Sequence, residues 1–391
     1  MNNYYDFTNE IIEVQKFKLA DLMKTYALSQ NKKIFNVIKF ENDEAFLEPL
    51  LISHFFATKF KRKTLPLDSL LFGYFSTCKN EIPSNLSFNK DNIAFVPKIG
   101  YYEKILDKNK KLDYLAFKPQ IKIKNSNIEI YRSIPQLLEF QFNNTSDNDQ
   151  ECFSPNFIEK LIKDKKSEID KSLQIIKIIM PRYYSQIISV AKGVILFKSN
   201  KLVSFASRIS PGIAYLNIQK EDKLIFFIVE MIHQFGHNIF YRILNSQKTF
   251  FKIHPDTLLR SLNNNQKEKR TLYSAFHGLF TTTKVATGLE LMLNNSSLFN
   301  KEEAKEIIGR FADNKRRFRT GLEKMDLNEV FTPLGVKLYK MLDKECENIY
   351  KRNKHITDNL IVESQPFVYD HNLFLKENLY EVRKKLTLLE I

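Results

Sequence analysis

The chain contains a strongly apolar stretch, from Leu224 to Phe240, whose polar side chains have a spacing that suits metal binding. Glu230, His233 and His237 follow one another at offsets of three and four residues. In a helix, residues with these offsets lie on one side, so the two imidazoles are one turn apart and can reach one divalent ion. Polar rings need partners when they are buried. The pattern therefore favours a metal site over two hydrogen-bonded core histidines.

The residue after the first histidine separates two kinds of metal chemistry. The motif reads His233-Gln-Phe-Gly-His237, with Gln234 at the position that glutamate holds in the His-Glu-x-x-His helix of zinc hydrolases. That glutamate takes a proton from metal-bound water, which an amide cannot do. Ferrous-iron dioxygenase chemistry needs instead a facial set of protein ligands and open positions for O₂ and a co-substrate. Gln234 is compatible with this demand, so the motif disfavours a working hydrolase.

The helix that carries the motif is expected to be central and buried. It is predicted to run from Glu221 to about Leu244, with Glu221 and Asp222 in a first turn where the helix dipole favours acids. Its sequence is apolar nearly all round, which is typical of a helix in the interior. Further helices are predicted at Thr271–Leu293, from Lys301 to about Lys324, at Pro333–Lys351 and from His371 to the end.

The segments before this helix predict a mixture of helix and strand. Helical spacing from Ser167 to Lys192 is interrupted at Pro181. Two β-rich runs follow, Gly193–Phe197 and Ile213–Ile218, and Pro211-Gly212 before the second run predicts a turn. We therefore expect an α+β protein, mainly helical, with a buried metal-binding helix behind a short mixed sheet.

The amino-terminal part has a different pattern and carries no recognisable motif. It mixes short helical stretches with alternating segments at Tyr114–Phe117 and Ile121–Ile130, the second folded around an Asn-Ser-Asn turn. The stretch from Asn143 to Glu151 is the most polar and turn-rich of the sequence, which is typical of a linker or exposed loop. The sequence thus predicts an amino-terminal α+β region, residues 1–145, and a mainly helical catalytic domain, residues 146–391.

Composition excludes several classes of protein. The 391 residues include 43% hydrophobic and 27% charged residues, with 33 Phe and no Trp, which is a globular composition. The longest apolar runs are far below the roughly 20 residues of a membrane-spanning helix. The formal net charge is +15, but the basic clusters are scattered, mostly lysine, and accompanied by no nucleic-acid-binding pattern. We expect no nucleic-acid or membrane partner; an acidic peptide partner stays open, and the oligomeric state is not indicated.

The cysteines and the amino terminus favour a cytoplasmic protein. Cys78, Cys152 and Cys346 stand far apart with no Cys-x-x-Cys pair, which suits a reducing compartment. The first ten residues lack the cationic start and apolar stretch of a secretory signal.

Several segments in order resemble one enzyme family. They are Ser204-Phe-Ala-Ser207 with Pro211–Asn217, His233–His237, Arg270-Thr-Leu-Tyr-Ser-Ala-Phe-His-Gly278, and Leu327–Leu334 before Gly335. Over roughly residues 170 to 350 the chain resembles the 2-oxoglutarate-dependent peptide β-hydroxylases with a His-Glu-x-x-His motif, which modify ribosomally made peptides. The resemblance implies an iron(II) enzyme that uses 2-oxoglutarate to hydroxylate the β-carbon of a residue in a peptide.

The resemblance also implies a set of site residues. His233, His237 and His277 would be the iron ligands, with Gln234 and Glu230 beside them at the catalytic site. Glu230, His254 and Glu290 are rival third ligands by residue type. Arg270 and Ser207 would bind the co-substrate, because arginine matches a carboxylate with two parallel hydrogen bonds. Arg208, Arg242 and Arg260 are alternatives to Arg270.

Two other functions stay open. One is a catalytically degenerate relative that binds a peptide or a partner enzyme without turnover. The other, which the missing glutamate disfavours, is zinc-dependent hydrolysis.

Overall fold

The computed structural model describes residues 2–76, 82–83, 85–107, 112–143, 153–263, 265–318 and 325–389. It divides into two compact units. The helical unit comprises residues 1–7, 171–187 and 222–391, and the sheet unit comprises residues 8–170 and 188–221. The predicted boundary at 145/146 falls outside the described residues and stays a prediction. Cys78, Cys152 and the lysine cluster at residues 108–111 also lie outside them.

The protein is mainly helical with two small sheets, as the sequence predicts. The α-helices are α1 (Asn2–Gln30), α2 (Asp43–Phe46), α3 (Pro49–Lys59), α4 (Leu67–Leu71), α5 (Pro155–Ile179), α6 (Pro181–Val190), α7 (Leu224–Ile243), α8 (Arg260–Asn263), α9 (Leu272–Asn294), α10 (Lys301–Arg317), α11 (Leu327–Val330), α12 (Pro333–Arg352), α13 (Lys354–Thr357) and α14 (His371–Leu388). The strands are β1 (Ile93–Val96), β2 (Gly100–Asp107), β3 (Leu112–Pro119), β4 (Ile121–Lys122), β5 (Glu129–Ile130), β6 (Gly193–Phe197), β7 (Phe205–Ala206) and β8 (Ile213–Asn217).

All of these strands belong to the sheet unit. β1, β2 and β3 form an antiparallel sheet in that order. The second sheet has the order β4-β5-β6-β8-β7 and is mixed, because β5, β6 and β8 are parallel to one another while β4 and β7 pair antiparallel at its edges. Gly212 starts β8 with a φ of +97°, a conformation that glycine adopts without strain. This confirms the predicted turn and both predicted central strands.

The helical unit is built around α9. It packs against α7, α10 and α12. Glycines allow the close approach of α7 and α9: a Cβ added at Gly288 would lie 2.5 Å from Ile232 Cδ1. Thr271 caps α9 by accepting a hydrogen bond from Ser274 N, and Pro333 occupies the first turn of α12, as predicted.

Four helices differ from their predicted extent. α10 ends at Arg317, because Phe318 is already extended, whereas it was predicted to continue to about Lys324. Residues 2–30 form one long helix instead of short stretches. α5 begins at Pro155, well before Ser167, because Ile158 and Ile162 extend its buried face by further turns. α7 begins at Leu224, so Glu221 and Asp222 precede the helix and no acid occupies its first turn. Among the described residues, no helix is long and apolar enough to cross a membrane.

Candidate functional site

The exposed positions of α7 form one narrow stripe. Every residue of the helix is buried except Glu230, His233, His237 and Tyr241, which are partly exposed. These positions are three or four residues apart, so they follow one side of the helix. The rest of the helix is in the core, where Ile228, Phe235 and Ile239 have no exposed surface. The two histidines of the motif therefore line the part of α7 that solvent reaches.

α9 brings a third histidine to this stripe. His277 is partly exposed, and its ring centroid lies 3.8 Å from that of His237. The rings of His233 and His237 are 4.6 Å apart. We call His233, His237 and His277 the histidine cluster. The structure thus brings together the three residues that the resemblance implies as ligands.

Aromatic rings surround His277 on the protein side. The ring centroids of Tyr241, Phe240 and Tyr273 lie 5.0, 5.7 and 5.8 Å from that of His277. None of these rings was predicted to be part of the site. Tyr241 follows His237 by four residues and Tyr273 precedes His277 by four, so helical spacing was a signal that could have identified both.

Space beside the cluster is open. A Cβ added at Gly278 would meet no heavy atom of the described residues within 4 Å. Gly278 is itself partly exposed and directly follows His277. A methyl group at this position of α9 therefore fits without contact.

Burial keeps the motif histidines neutral. It holds the pKa of His237 well below its ordinary value, and the nearby His277 and His233 lower that pKa further. Burial also lowers the pKa of His233; Glu230 opposes the shift and Arg317 adds to it. A neutral imidazole is the form that binds a metal ion, so neither ring must lose a proton first at neutral pH.

The cluster is held by a direct contact between imidazoles. His237 Nδ1 and His277 Nε2 form a hydrogen bond, in which one ring nitrogen donates and the other accepts. In this arrangement, no group of three His, Cys, Asp or Glu residues in the described parts of the chain could hold a metal ion. For these two nitrogens to face one ion, at least one ring has to rotate out of that hydrogen bond.

Gln234 is buried beneath the exposed stripe. Its side chain is 1% exposed, and Nε2 donates a hydrogen bond of 2.9 Å to Glu230 Oε2. Gln234 Oε1 is buried and accepts no hydrogen bond from any described residue. An unsatisfied buried acceptor costs about 1–3 kcal/mol, so this oxygen is a place where a donor would stabilise the site. Gln234 also fixes Glu230, whose carboxylate it binds.

Two of the rival ligands have other roles. Glu290 is buried and accepts hydrogen bonds from Arg352 at 2.9 Å and from Asn353 at 2.6 Å. The side chain of His254 is 76% exposed, 3.9 Å from the Asp256 carboxylate. Glu230, the third rival, stays on the stripe with its carboxylate bound to Gln234.

The predicted co-substrate residues are not brought to the histidine cluster by any described contact. The Arg270 guanidinium is paired with Glu268 through bonds of 2.9 Å from Nε and 2.7 Å from NH2. Ser207 belongs to the sheet unit, where its hydroxyl accepts a hydrogen bond from Ile209 N. Of the alternatives, Arg242 is buried in α7, Arg208 belongs to the sheet unit and Arg260 is exposed at the start of α8. Arg317, which sequence analysis did not consider, acts electrostatically on His233.

No protein-family model matches the chain, and no curated protein matches it significantly. The function must therefore be argued from the residues and geometry of the site.

Proposed function

We propose that this protein is an iron(II)- and 2-oxoglutarate-dependent dioxygenase that hydroxylates a β-carbon in a ribosomally made peptide. One observation carries the proposal. Three imidazoles from two packed helices converge on the only stripe of α7 that is not buried, next to open space at Gly278. A single buried histidine usually has a structural role in the core. Three adjacent histidines that solvent can reach are instead typical of a site that binds a metal ion or another ligand.

The donor set fits a divalent transition metal. Imidazole nitrogen suits iron and zinc, and low pKa values keep His233 and His237 in the neutral form that binds metal. His277 would be the third ligand, after its ring leaves the hydrogen bond with His237. Bound iron would supply the oxidising power for the peptide C–H bond, together with O₂ and 2-oxoglutarate.

The chain's own residues would prepare the site for this chemistry. The rings of Tyr241 and Tyr273 would line the site beside His277. Gln234 would orient Glu230 through its amide and leave Oε1 as an acceptor inside the site. Neither role requires a general base, which is why glutamine at this position supports oxidation better than hydrolysis.

Arg270 stays our proposed anchor for the distal carboxylate of 2-oxoglutarate. Its guanidinium already binds a carboxylate in a two-point geometry, that of Glu268. The co-substrate would have to replace this partner, so the pair would open when 2-oxoglutarate binds. Ser207 stays a proposal based on the resemblance alone.

A second candidate function is peptide or partner binding without turnover. The hydrogen bond between His237 and His277 favours it, because this bond gives one nitrogen of each ring a partner without a metal ion. Zinc-dependent hydrolysis ranks last, since the buried amide of Gln234 replaces the required base.

Metal content and co-substrate binding separate these functions. The protein is purified without chelator, its bound metals are measured, and iron(II) with 2-oxoglutarate is added under anaerobic conditions. We expect one equivalent of iron and a visible charge-transfer band. His254→Ala is the matched control, because it removes an exposed histidine outside the cluster.

The alternative outcomes are distinct. Failure to bind any divalent transition metal would contradict the oxygenase and leave the binding protein. Zinc bound with peptide cleavage would establish the hydrolase. Hydroxylation adds one oxygen to the peptide mass, whereas hydrolysis adds one water with scission of the chain, so mass spectrometry tells them apart.

A further inference from the structure

The sheet unit contains a cavity of about 750 Å³ that is lined by seven polar or charged residues and four apolar residues. It is formed by the end of α3 with the residues that follow it, by the turn before β1, and by the 3₁₀ helix at Gln136–Phe142. Its charged residues are Arg62, Lys63, Lys90 and Glu139. We call it the basic cavity. Its volume lies in the range of sites that hold small ligands or a few residues of a chain.

The cations of the basic cavity are available to a ligand. Arg62, Lys63 and Lys90 are exposed, and none of them forms an ion pair with a described residue. Arg62 contacts an aromatic ring of the lining, because its guanidinium carbon lies 4.2 Å from the centroid of the Phe140 ring. Stacking fixes the plane of the guanidinium and leaves its N–H edges for an anion.

The single acid of the cavity is already engaged. Glu139 is partly buried, and the charges of Lys90 and Lys63 act on its carboxyl group. Burial raises the pKa of Glu139, and the charge of Lys90 counteracts the shift. Three cations thus face one carboxylate, so the cavity attracts negative charge.

The uncharged lining favours a peptide over a phosphate compound. The side-chain amides of Gln136 and Asn143 form no hydrogen bond with a described residue, and each offers a donor and an acceptor. A peptide backbone uses both, whereas a phosphate group uses donors alone. Phosphate sites in proteins use consecutive backbone N–H groups at a helix amino terminus or a glycine-rich loop. The basic cavity instead has apolar walls at Phe88, Leu137 and Phe140.

We infer that the basic cavity binds an acidic peptide segment, with Arg62, Lys63 and Lys90 as the groups that recognise its carboxylates. That this segment belongs to the substrate peptide rests on the proposed function; the binding itself does not. The site belongs to the sheet unit, whereas the histidine cluster belongs to the helical unit. Recognition and chemistry would then depend on separate sets of residues.

Calorimetry with two synthetic peptides tests the inference. Both have blocked ends and differ only in that Glu in one is replaced by Gln in the other. The full-length protein should bind the Glu peptide and not the Gln peptide. The variant with Arg62→Gln, Lys63→Gln and Lys90→Gln should bind the Glu peptide at least about tenfold more weakly.

A matched control removes the same net charge elsewhere in the sheet unit. Lys33→Gln, Lys39→Gln and Lys201→Gln replace three exposed lysines that lie outside the cavity lining. This variant should bind the Glu peptide as wild type does, within about twofold, because screened distant charges contribute little. Equal weakening in both triple variants would overturn the inference, since binding would then follow net charge alone.

A gain-of-binding variant removes the concern that a loss reflects misfolding. Glu139→Gln eliminates the one negative charge of the cavity lining and should increase the affinity for the Glu peptide by a few fold. Unchanged or weaker binding would contradict the assigned role of the cations. Binding of inorganic phosphate or a nucleotide without binding of the Glu peptide would show a small-anion site and overturn the peptide assignment.

The test is independent of the metal chemistry. The triple variant at the basic cavity should keep full iron binding, and His277→Ala should keep full affinity for the Glu peptide. If the wild-type protein bound no iron, the oxygenase proposal would fail and the peptide site would stand. If it bound iron but no Glu peptide, the peptide site would fail and the oxygenase proposal would stand.

Discussion

The histidine cluster of the helical unit and the buried carboxyl of Glu129 in the sheet unit are both desolvated, but only the first remains accessible. Burial lowers the pKa of His237 and raises the pKa of Glu129 to about 8, so each group is neutral near pH 7. Glu129 is 5% exposed, and its two oxygens accept hydrogen bonds from Tyr101 at 2.6 Å and Gln120 at 2.5 Å. His237 is partly exposed beside open space at Gly278.

This difference separates a structural group from a candidate site. A perturbed pKa alone does not mark function, because interior hydrogen-bond networks produce the same shifts. Glu129 has its hydrogen-bonding capacity satisfied by neighbours within its own unit. The histidine cluster combines a perturbed pKa with partial exposure, open space and the unsatisfied Gln234 Oε1. Accessibility together with an incomplete set of partners is what distinguishes it.

Removal of any cluster histidine should have the largest effect. His233→Ala, His237→Ala and His277→Ala should each weaken iron(II) binding by about 100-fold or more, because each removes a nitrogen donor. The fold should persist, since the three side chains are partly exposed. Metal titration and thermal unfolding of each variant check this expectation, with His254→Ala as the control. Full iron occupancy in His277→Ala would refute the three-histidine site and direct attention to Glu230.

Glu129 should control the pH dependence of stability. Its pKa is 4.5 ordinarily and about 8 in the folded protein, so folding takes up a proton between these values. The stabilisation is complete below about pH 4.5 and is lost as the pH rises through 8. From pH 5 to pH 9, wild type should therefore lose at least about 1 kcal/mol of unfolding free energy relative to Glu129→Gln.

Urea denaturation at several pH values measures this difference. Glu10→Gln serves as control, because Glu10 is exposed on α1 and forms no hydrogen bond or ion pair with a described residue. It should follow wild type across the pH range. If the unfolding free energies of Glu129→Gln and wild type changed in parallel with pH, Glu129 would be ionised in the folded protein.

The sequence predicted the helices that carry the site and the residues that share one face, but not the contacts between their side chains. Helical spacing predicted the stripe of Glu230, His233 and His237, and the predicted starts of α9 and α12 were correct to within one residue. The hydrogen bond between His237 and His277 depends on how closely α7 and α9 pack, which rests on side chains distant in sequence such as Ile232 and Gly288. Periodicity carries no information on that distance.

The ion pair of Arg270 with Glu268 could not be predicted from sequence spacing either. Its partner Glu268 is only two residues away, but such a contact depends on the conformation of the loop and not on helical spacing. The start of α7 was misplaced for a similar reason. Acids before an apolar run are typical of a first helical turn, yet Lys223 is extended here and the helix begins after it.

Gln234→Glu should sharpen the distinction between oxidation and hydrolysis. Iron binding should change by less than about tenfold, because the ligands remain, and hydroxylation should be unchanged or faster. A carboxylate here would face Glu230, which Gln234 now binds at 2.9 Å, so one of the two acids should take up a proton. Zinc-dependent cleavage of the peptide by the variant would instead identify a degenerate hydrolase whose base has been restored.

Three helical glycines give the smallest effects and the most direct test of the open space beside the cluster. An added Cβ at Gly278 meets nothing within 4 Å, whereas at Gly236 it would lie 2.9 Å from Tyr183 Oη and at Gly288 2.5 Å from Ile232 Cδ1. Alanine is the better helix former by about 0.5–1 kcal/mol. Gly278→Ala should therefore raise the unfolding free energy by about that amount, while Gly288→Ala should lower it because the packing of α7 on α9 must loosen. Chemical denaturation of both variants measures these opposite changes in unfolding free energy.

A larger side chain in Gly278→Leu should keep the stability of the fold and impair peptide hydroxylation, since it would occupy the space that the substrate is proposed to use. Unaltered turnover in Gly278→Leu would move the substrate to another side of the histidine cluster.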